Sequence, residues 1–441
     1  MLQILRRGGI RSAKALSHEL GVSQSTVSRA IAGLGRDVMR FGGGPSTGYA
    51  LARTIGQQGS SIPMYRLNEG GDAEDLGVLH AFHGGFRFEA SSENSVLVSD
   101  LSNRTTPFND LPWFLYDLRP QGYVGRAVAR EQTSRLGVPP DPRMWSGDDL
   151  LRYLIERGDD VPGNIIIGQR MLVTAIGNTI DPIDLIPERV RPRAYLERVR
   201  RSRANEVVGS SAGGEQPKFT AIVQHDNGMR RSVIVKFSDD VNTPGGRRWA
   251  DLLVMEHIAA TTLRSHGMHA ATTVYGMTGP YMCLEITRFD RTQSGRSGLV
   301  SLEALDDGLI GQGPTTTWSD AATRLSSMNV ITHLDAHELK QRYWFGMLIG
   351  NTDMHRGNVS FVMQDAFPLP LTPSYDMLPM AYRPTDHGAI VERRLAPVVA
   401  PPSDRSILEE MRPVAREFWH HCADSSDISD GMREIASNNT P

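Results

Sequence analysis

Apolar residues recur along this chain with two different periods, and the switches between them sketch its elements. In residues 12–20, Ala15, Leu16 and Leu20 share one helical face. Gly21 makes a sharp turn, and Ser23 is a good N-cap for a helix running to about residue 34. Val27, Ile31 and Leu34 form its buried stripe, while Gln24, Ser25, Thr26, Ser28 and Arg29 point outward. Residues 1–7 supply a preceding helix, and residues 37–52 a hairpin with a Gly-rich tip at 42–48. Residues 54–63 are polar with Gly and Ser, which predicts a linker. Beyond it, residues 79–90 and 95–100 read as short strands, and 111–126 as a Pro/Gly-punctuated connection with aromatic anchors. Helices are predicted at 148–157 and 192–203, the second with Pro192 at a helix-starting position. Strands at 231–237 and 281–288 flank an amphipathic helix at 249–263. From residue 320 the pattern turns mostly helical, and 339–349 is apolar nearly all round, hence buried. Two further short strands, 359–363 and 369–375, are joined by a turn at 364–368.

Composition narrows the class. At 441 residues the chain holds two or three domains, and 39% hydrophobic with 22% charged residues is the range of a soluble globular protein. No apolar run approaches a membrane span and no signal-peptide core is present, so no membrane partner is expected. Two cysteines, Cys283 and Cys422, make no disulfide framework, which fits a cytoplasmic setting. The net charge of −3 is uneven. Residues 1–55 hold eight Arg/Lys against Glu19 and Asp37, a net +6, leaving −9 for the rest. A basic head of this pattern reads as a winged helix-turn-helix whose third helix meets double-stranded DNA; the alternative is a small helical interaction domain. The arginines of 189–203 are read as a solvated face.

The chemistry-bearing stretch is 350–361, followed by Tyr375 and Asp376. Asp353 precedes Asn358 by five positions, and Asp376 follows after a short apolar interval. Phosphoryl transfer needs this inventory: one carboxylate to take the proton of the attacking hydroxyl, an amide and a second carboxylate to hold Mg²⁺. The predicted hairpin would bring Asp376 back beside Asn358. A polar loop capping a helix is the plainer reading, because Asn and Asp favour turns. Lys236 near the end of a strand would reach nucleotide phosphates, and Glu256, twenty residues on, would orient it from the next helix. Residues 210–218 turn on small residues that let backbone N–H groups face phosphate oxygens, with Lys218 at the exit, although the spacing is not that of a Walker loop. The strand 281–288 would serve as a hinge between lobes.

Taken together, the Ser-x-Gly-Gly-x-x-Pro-Lys loop, Val235-Lys236, Arg288-Phe289-Asp290-Arg291, 350–358 and Tyr375-Asp376 resemble, in order and approximate spacing, the HipA family of bacterial serine/threonine kinases. A helix-turn-helix fused in front resembles the YjjJ-type members; ordinary HipA proteins obtain theirs from a separate HipB antitoxin. The resemblance implies an α+β chain: a winged helix-turn-helix at 1–55, then a two-lobed kinase fold with an α/β N-lobe at 63–286 and a mainly helical C-lobe at 287–441. It implies ATP and Mg²⁺ as cofactors, Asp353 as the catalytic residue, and Asn358 and Asp376 as metal ligands. It places Ser211, Ala212, Gly213, Gly214 and Lys218 on the phosphates with Lys236 and Glu256, and Thr287 to Phe289 at the hinge. His355 and Tyr375 stand beside the nucleotide, and Ser211 falls at the family's autophosphorylated serine. Met354, Gly357 and Val359 depart from commoner family residues and bear on loop conformation. The implied partners are a protein substrate of the translation machinery, such as an aminoacyl-tRNA synthetase, and an antitoxin. A homodimer on palindromic DNA is the expectation for a winged helix.

A second reading makes the chain a DNA-binding transcription regulator whose kinase-like body is a silent sensor or dimerisation module. A metallohydrolase built on His333 and His337 is set aside, because no Glu of a zincin motif lies between them.

Overall fold

In the computed structural model of the 441-residue chain, the described residues are all but 45–46, 93–96, 98–106, 205–215, 312, 386, 392 and 440–441, with the side chain of Val124 also left aside. The expected strand at 95–100 falls almost entirely outside them.

The head comprises α1 (Leu2–Arg6), β1 (Arg11–Ser12), α2 (Ala13–Leu20), α3 (Gln24–Gly33), β2 (Val38–Phe41) and β3 (Gly48–Leu51). Ser12 caps α2 through its hydroxyl to the Ala15 amide, and Ser23 caps α3 through the Thr26 amide. Gly21 ends α2 at φ 67°, a left-handed turn that Gly adopts without steric cost. The strands pair antiparallel in the order β1-β3-β2. Leu5, Leu16, Val27 and Leu51 form a core of their own. Ala15, expected on the inner face, is exposed, and Ala13 packs inward in its place.

The expected linker is not one. Ile55 is fully buried, its amide bonds Gly59 O, and Ser61–Leu67 is already β4. β4 lies in a four-stranded antiparallel sheet, order β6-β5-β4-β7, with β5 (Ala73–Phe82), β6 (Gly85–Ala90) and β7 (Ile165–Ile167). Residues 111–126 are also more than a connection. Trp113–Leu118 winds into a 3₁₀ turn with Trp113, Phe114, Leu115 and Leu118 buried, and α4 (Gly122–Leu136) follows. Burial of the aromatic anchors overrides the Pro and Gly signals there. α5 (Gly147–Arg157) has a full capping box between Ser146 and Asp149, and α6 (Gln169–Ile180) packs Met171, Leu172 and Ala175 inward.

A five-stranded sheet carries the chemistry, in the order β11-β12-β10-β9-β8. Its strands are β8 (Leu185–Pro187), β9 (Lys218–Gln224), β10 (Arg230–Phe237), β11 (Thr273–Thr278) and β12 (Tyr281–Thr287). Side chains alternate across it. Val233, Val235, Phe237 and Cys283 pack beneath α7 (Arg191–Ala204), while Leu284 and Ile286 join the main core with α8 (Pro244–Ser265). The arginines of α7 are largely engaged by carboxylates: Arg198 with Asp184, Arg203 with Asp239, Arg191 with Glu285.

The remaining chain is mainly helical: α9 (Leu302–Leu305), α10 (Trp318–Ser327), α11 (His333–Ile349), α12 (Arg405–Asp424) and α13 (Asp430–Asn438), with β13 (Val300–Ser301) paired to β14 (Ser360–Phe361). The predicted strand pair 359–363/369–375 is reduced to β14 and one bridge, Phe361 to Leu371, because Pro368, Pro370 and Pro373 have no N–H to donate. Among the described residues no helix is long and apolar enough to cross a membrane.

Candidate active site

Alternation along β10 turns Lys236 toward α8, away from the α7 side. Its ammonium lies 2.6 and 2.7 Å from the two carboxylate oxygens of Glu256 on α8, and 2.5 Å from Asp376 Oδ1. Lys236 and Glu256 are buried, and Asp376 keeps 28% of its side chain open. Two carboxylates share one ammonium, and their titrations separate. Asp376 is pushed down to about 2; burial works against this, but Lys236, Lys218 and the Lys236 hydrogen bond outweigh it. Glu256 is pushed up, because full burial and the Asp376 charge exceed what Lys236 returns to it. Lys236 is held well above its ordinary range despite burial, through Asp376 and Glu256. Asp376 itself sits at φ 53°, the left-handed region, a strain of about 1 kcal/mol or more that clusters at functional sites.

The loop carrying Asp353 leaves α11 through Gly350, whose φ of 76° closes the helix. A Cβ there would also lie 2.6 Å from the tip of Leu395, which would have to turn aside. Asn351 is buried and bonds both ways: Oδ1 accepts the Asp353 amide at 3.1 Å, and Nδ2 donates to Asp376 O at 3.3 Å. Asn358 Nδ2 donates to Asp353 O at 2.8 Å, and His355 Nδ1 accepts the Gly357 amide, capping a 3₁₀ turn over Arg356–Asn358. The Asp353 and His355 side chains are exposed. Tyr375 OH donates to Gly357 O at 3.0 Å and meets Ser360 Oγ at 2.6 Å. Phe289, just past β12, lies with its ring centroid 5.6 Å from that of Tyr375.

Lys236, Glu256 and Asp376 therefore meet directly. Asp353 and Asn358 join them through Asn351, and Phe289 with Tyr375 lines the neighbouring edge. Lys218 pairs in register with Lys236, close enough for its charge to depress Asp376. Ser211, Ala212, Gly213 and Gly214 lie outside the described residues. The end of their loop is held where the Gln216 amide reaches Phe237 O and the Phe237 amide bonds Pro217 O at 3.1 Å. Gln24, Ser25, Thr26, Ser28 and Arg29 are all exposed along α3, far along the chain in a separate core. His333 and His337 engage Ser326 and Glu410, and among the described residues no group of three metal-binding side chains forms.

Sequence reading missed Asn351. Its signal was present as Asn-x-Asp, an Asx turn in which the side chain accepts the amide two residues on.

The donor chemistry suits a hard divalent cation. Asn358 spends its amide N–H on the loop and keeps its amide oxygen, and Asp376 gives one oxygen to Lys236 and keeps the other.

A family described as "HipA-like C-terminal domain" matches residues 210–436, and one described as "YjjJ-like toxin, middle domain" matches residues 58–176. The chain is similar to Toxin YjjJ of Escherichia coli (strain K12), with 35% identity over 433 residues, 97% of this chain and 94% of that protein. It is also similar in fold to a chain of the Shewanella oneidensis MR-1 HipA, HipB and operator DNA complex. That likeness has a TM-score of 0.57 at 15% identity, and covers 86% of this chain and 95% of that one.

Proposed function

Since this chain belongs to the HipA-like toxin family, we propose that it is an ATP- and Mg²⁺-dependent protein serine/threonine kinase acting on a cytoplasmic protein. The observation that carries the reading is the contact of Lys236 with both Glu256 and Asp376, joined by Asn351 to the loop of Asp353 and Asn358. In this reading residues 63–286 form the N-lobe and 287–441 the C-lobe. Lys236 and Lys218 neutralise phosphate oxygens, and Thr287 to Phe289 with Tyr375 and His355 hold the nucleotide. Asn358 and Asp376 would hold Mg²⁺, which would supply positive charge to offset the negative charge of the phosphate oxygens. The Asp353 carboxylate accepts the proton of the substrate hydroxyl. That oxygen bonds to the γ-phosphorus as the bond to the bridging oxygen breaks, and ADP leaves. Ser211 is the proposed autophosphorylation site, and a translation protein such as an aminoacyl-tRNA synthetase the proposed substrate.

Residues 1–55 are proposed as a winged helix-turn-helix that binds double-stranded DNA through Gln24, Ser25, Thr26, Ser28 and Arg29, as a homodimer and with an antitoxin among its partners. The same exposed helix favours the second reading, a regulator with a silent body.

Purified protein with labelled ATP and Mg²⁺ separates the two. Phosphate should appear on the protein or on a lysate protein, located by mass spectrometry, and Asp353→Ala should lower the rate by about 10³-fold. Label undiminished in that variant removes the kinase assignment, and no label with wild type leaves the regulator.

A further inference from the structure

The loop of Asp353 and Asn358 is held from far along the chain, by the 3₁₀ turn Trp113–Leu118 of the segment matching the middle-domain family. Asp117 accepts two hydrogen bonds from one residue, the Ser301 amide and the Ser301 hydroxyl, both at 2.6 Å. Ser301 lies on β13 opposite Ser360 of β14. Ser360 Oγ donates to Tyr375 OH, and Tyr375 OH donates to Gly357 O, between Asp353 and Asn358 in neither but within their loop. A second route runs beside the first. Ser301 caps α9, which leads into Asp306, a fully buried carboxylate that holds Arg356 of the same loop and also accepts the Gly313 amide at 3.0 Å. Trp113 packs against the turn of Asp306: a Cβ on Gly308 would stand 2.4 Å from the indole. Both routes start from one turn and end on residues 356 and 357.

We propose that this turn is a positioning element for phosphoryl transfer, with Asp117 setting the catalytic loop through Ser301, and Asp306 through Arg356. The proposal rests on the kinase reading for its effect on rate, but the physical coupling does not. Ser301 is buried, and Asp117 is the acceptor of both its donors, so truncation at 117 leaves two buried N–H and O–H groups without their partner. β13 then shifts, and with it Ser360, Tyr375 and Gly357. Lys236 and Phe289 lie off this path, whereas Tyr375 lies on it and packs against Phe289. Misplacement of the loop should therefore appear in kcat, and in KM for ATP to the extent that Tyr375 moves. Asn at position 117 can still accept from the Ser301 amide and donate to its hydroxyl oxygen, so it retains the geometry while losing the charge.

The test uses the full-length protein with Asp117→Ala, Asp117→Asn and Ser301→Ala, read by steady-state kinetics and by amide hydrogen exchange over residues 353–361. Asp117→Ala is expected to lower kcat by about tenfold or more and to speed exchange in 353–361 by about tenfold. Asp117→Asn should stay within about threefold of wild type on both. Ser301→Ala, which removes one of the two bonds, stands in if Asp117→Ala does not fold, and should fall between them. Folded Asp117→Ala or Ser301→Ala with wild-type exchange in 353–361 overturns the proposal, as does Asp117→Asn as impaired as Asp117→Ala. A wild-type protein that transfers no phosphate removes the kinase reading alone. Exchange in 353–361 then decides the coupling.

Discussion

At the scale of single residues, the arrangement turns on one ammonium answering for two carboxylates. Removing one member of a buried ion cluster is far costlier than removing the whole, because the survivors keep their desolvation penalty. Lys236→Ala would leave Glu256 and Asp376 facing each other, and should destabilise the protein by about 3–5 kcal/mol at neutral pH, read from urea unfolding. The pH dependence has a definite sign. Asp376, depressed to about 2, stabilises the wild type above its unfolded pKa near 4, and that contribution is lost as pH falls toward 2. In the variant the two carboxylates prefer to be protonated, so acid relieves it. The gap between variant and wild type should shrink from pH 7 to pH 4; a constant gap would show that packing, not charge, is at work. Lys236, Glu256, Asp353, Asn358 and Asp376 were all singled out from residue type and order, and the fold brings Lys236, Glu256 and Asp376 into direct contact. That Lys236 binds Asp376 as tightly as Glu256 was not legible in the sequence, because 140 residues separate them.

At the scale of elements, the strand β12 was visible and its exit was not. Thr287 to Phe289 read as the hinge, and Phe289-Asp290-Arg291 only as the chain leaving the strand. In the fold, Asp290 takes both Nε and Nη2 of Arg288 at 3.0 Å, Nη1 of Arg291 at 2.8 Å and the Gly163 amide at 2.9 Å. Arg288 and Arg291 both reach Asp160 as well. The exit of β12 is thus bolted to residues 160–163, in the segment matching the middle-domain family. Asp290 is held well below the ordinary carboxylate range, against its burial, by Arg288 and Arg291. Asp290→Asn should cost about 3–5 kcal/mol in chemical unfolding by leaving two buried guanidiniums short of an anion. It should also weaken ATP binding, because Phe289 is its neighbour; unchanged nucleotide affinity in a folded variant would separate the cluster from the hinge. Helices α4 and α6 escaped the sequence reading for a related reason. Their burial is decided by sheets and helices elsewhere in the chain, and their own patterns are interrupted by Gly and polar residues.

At the scale of the whole molecule, the charge is divided: +6 on residues 1–55 and −9 on the remainder. The basic head does not swing free. Phe41 packs edge-on against Phe82 with ring centroids 5.1 Å apart, Ala52 bridges Phe82, the Gly9 amide bonds His83 O at 2.8 Å, and Arg53 pairs with Asp148 at 2.8 Å. A polyanion bound by α3 would therefore meet the head held in one place against an acidic body, which raises the dependence of affinity on each head cation. Arg29→Ala should weaken binding of duplex DNA and reduce the slope of log affinity against log salt by about one. An unaltered slope would place the DNA contacts elsewhere or nowhere.

What the chain order determined without help was local: capped helices at Ser12 and Ser23, the left-handed turns at Gly21 and Gly350, the alternation of 230–237, and the inventory of acids, amide and lysine. Each depends on neighbours within a turn of helix or a few residues of strand, and these act in the unfolded chain as well as the folded one. The tertiary structure alone decided the rest. It turned a predicted linker into buried chain at Ile55, seated Asn351 between two loops, and brought Asp117 to Ser301 and Asp160 to Arg288 across 184 and 128 residues. Such pairings are chosen by which surfaces exclude water together, a property of the packed whole that no window of sequence contains.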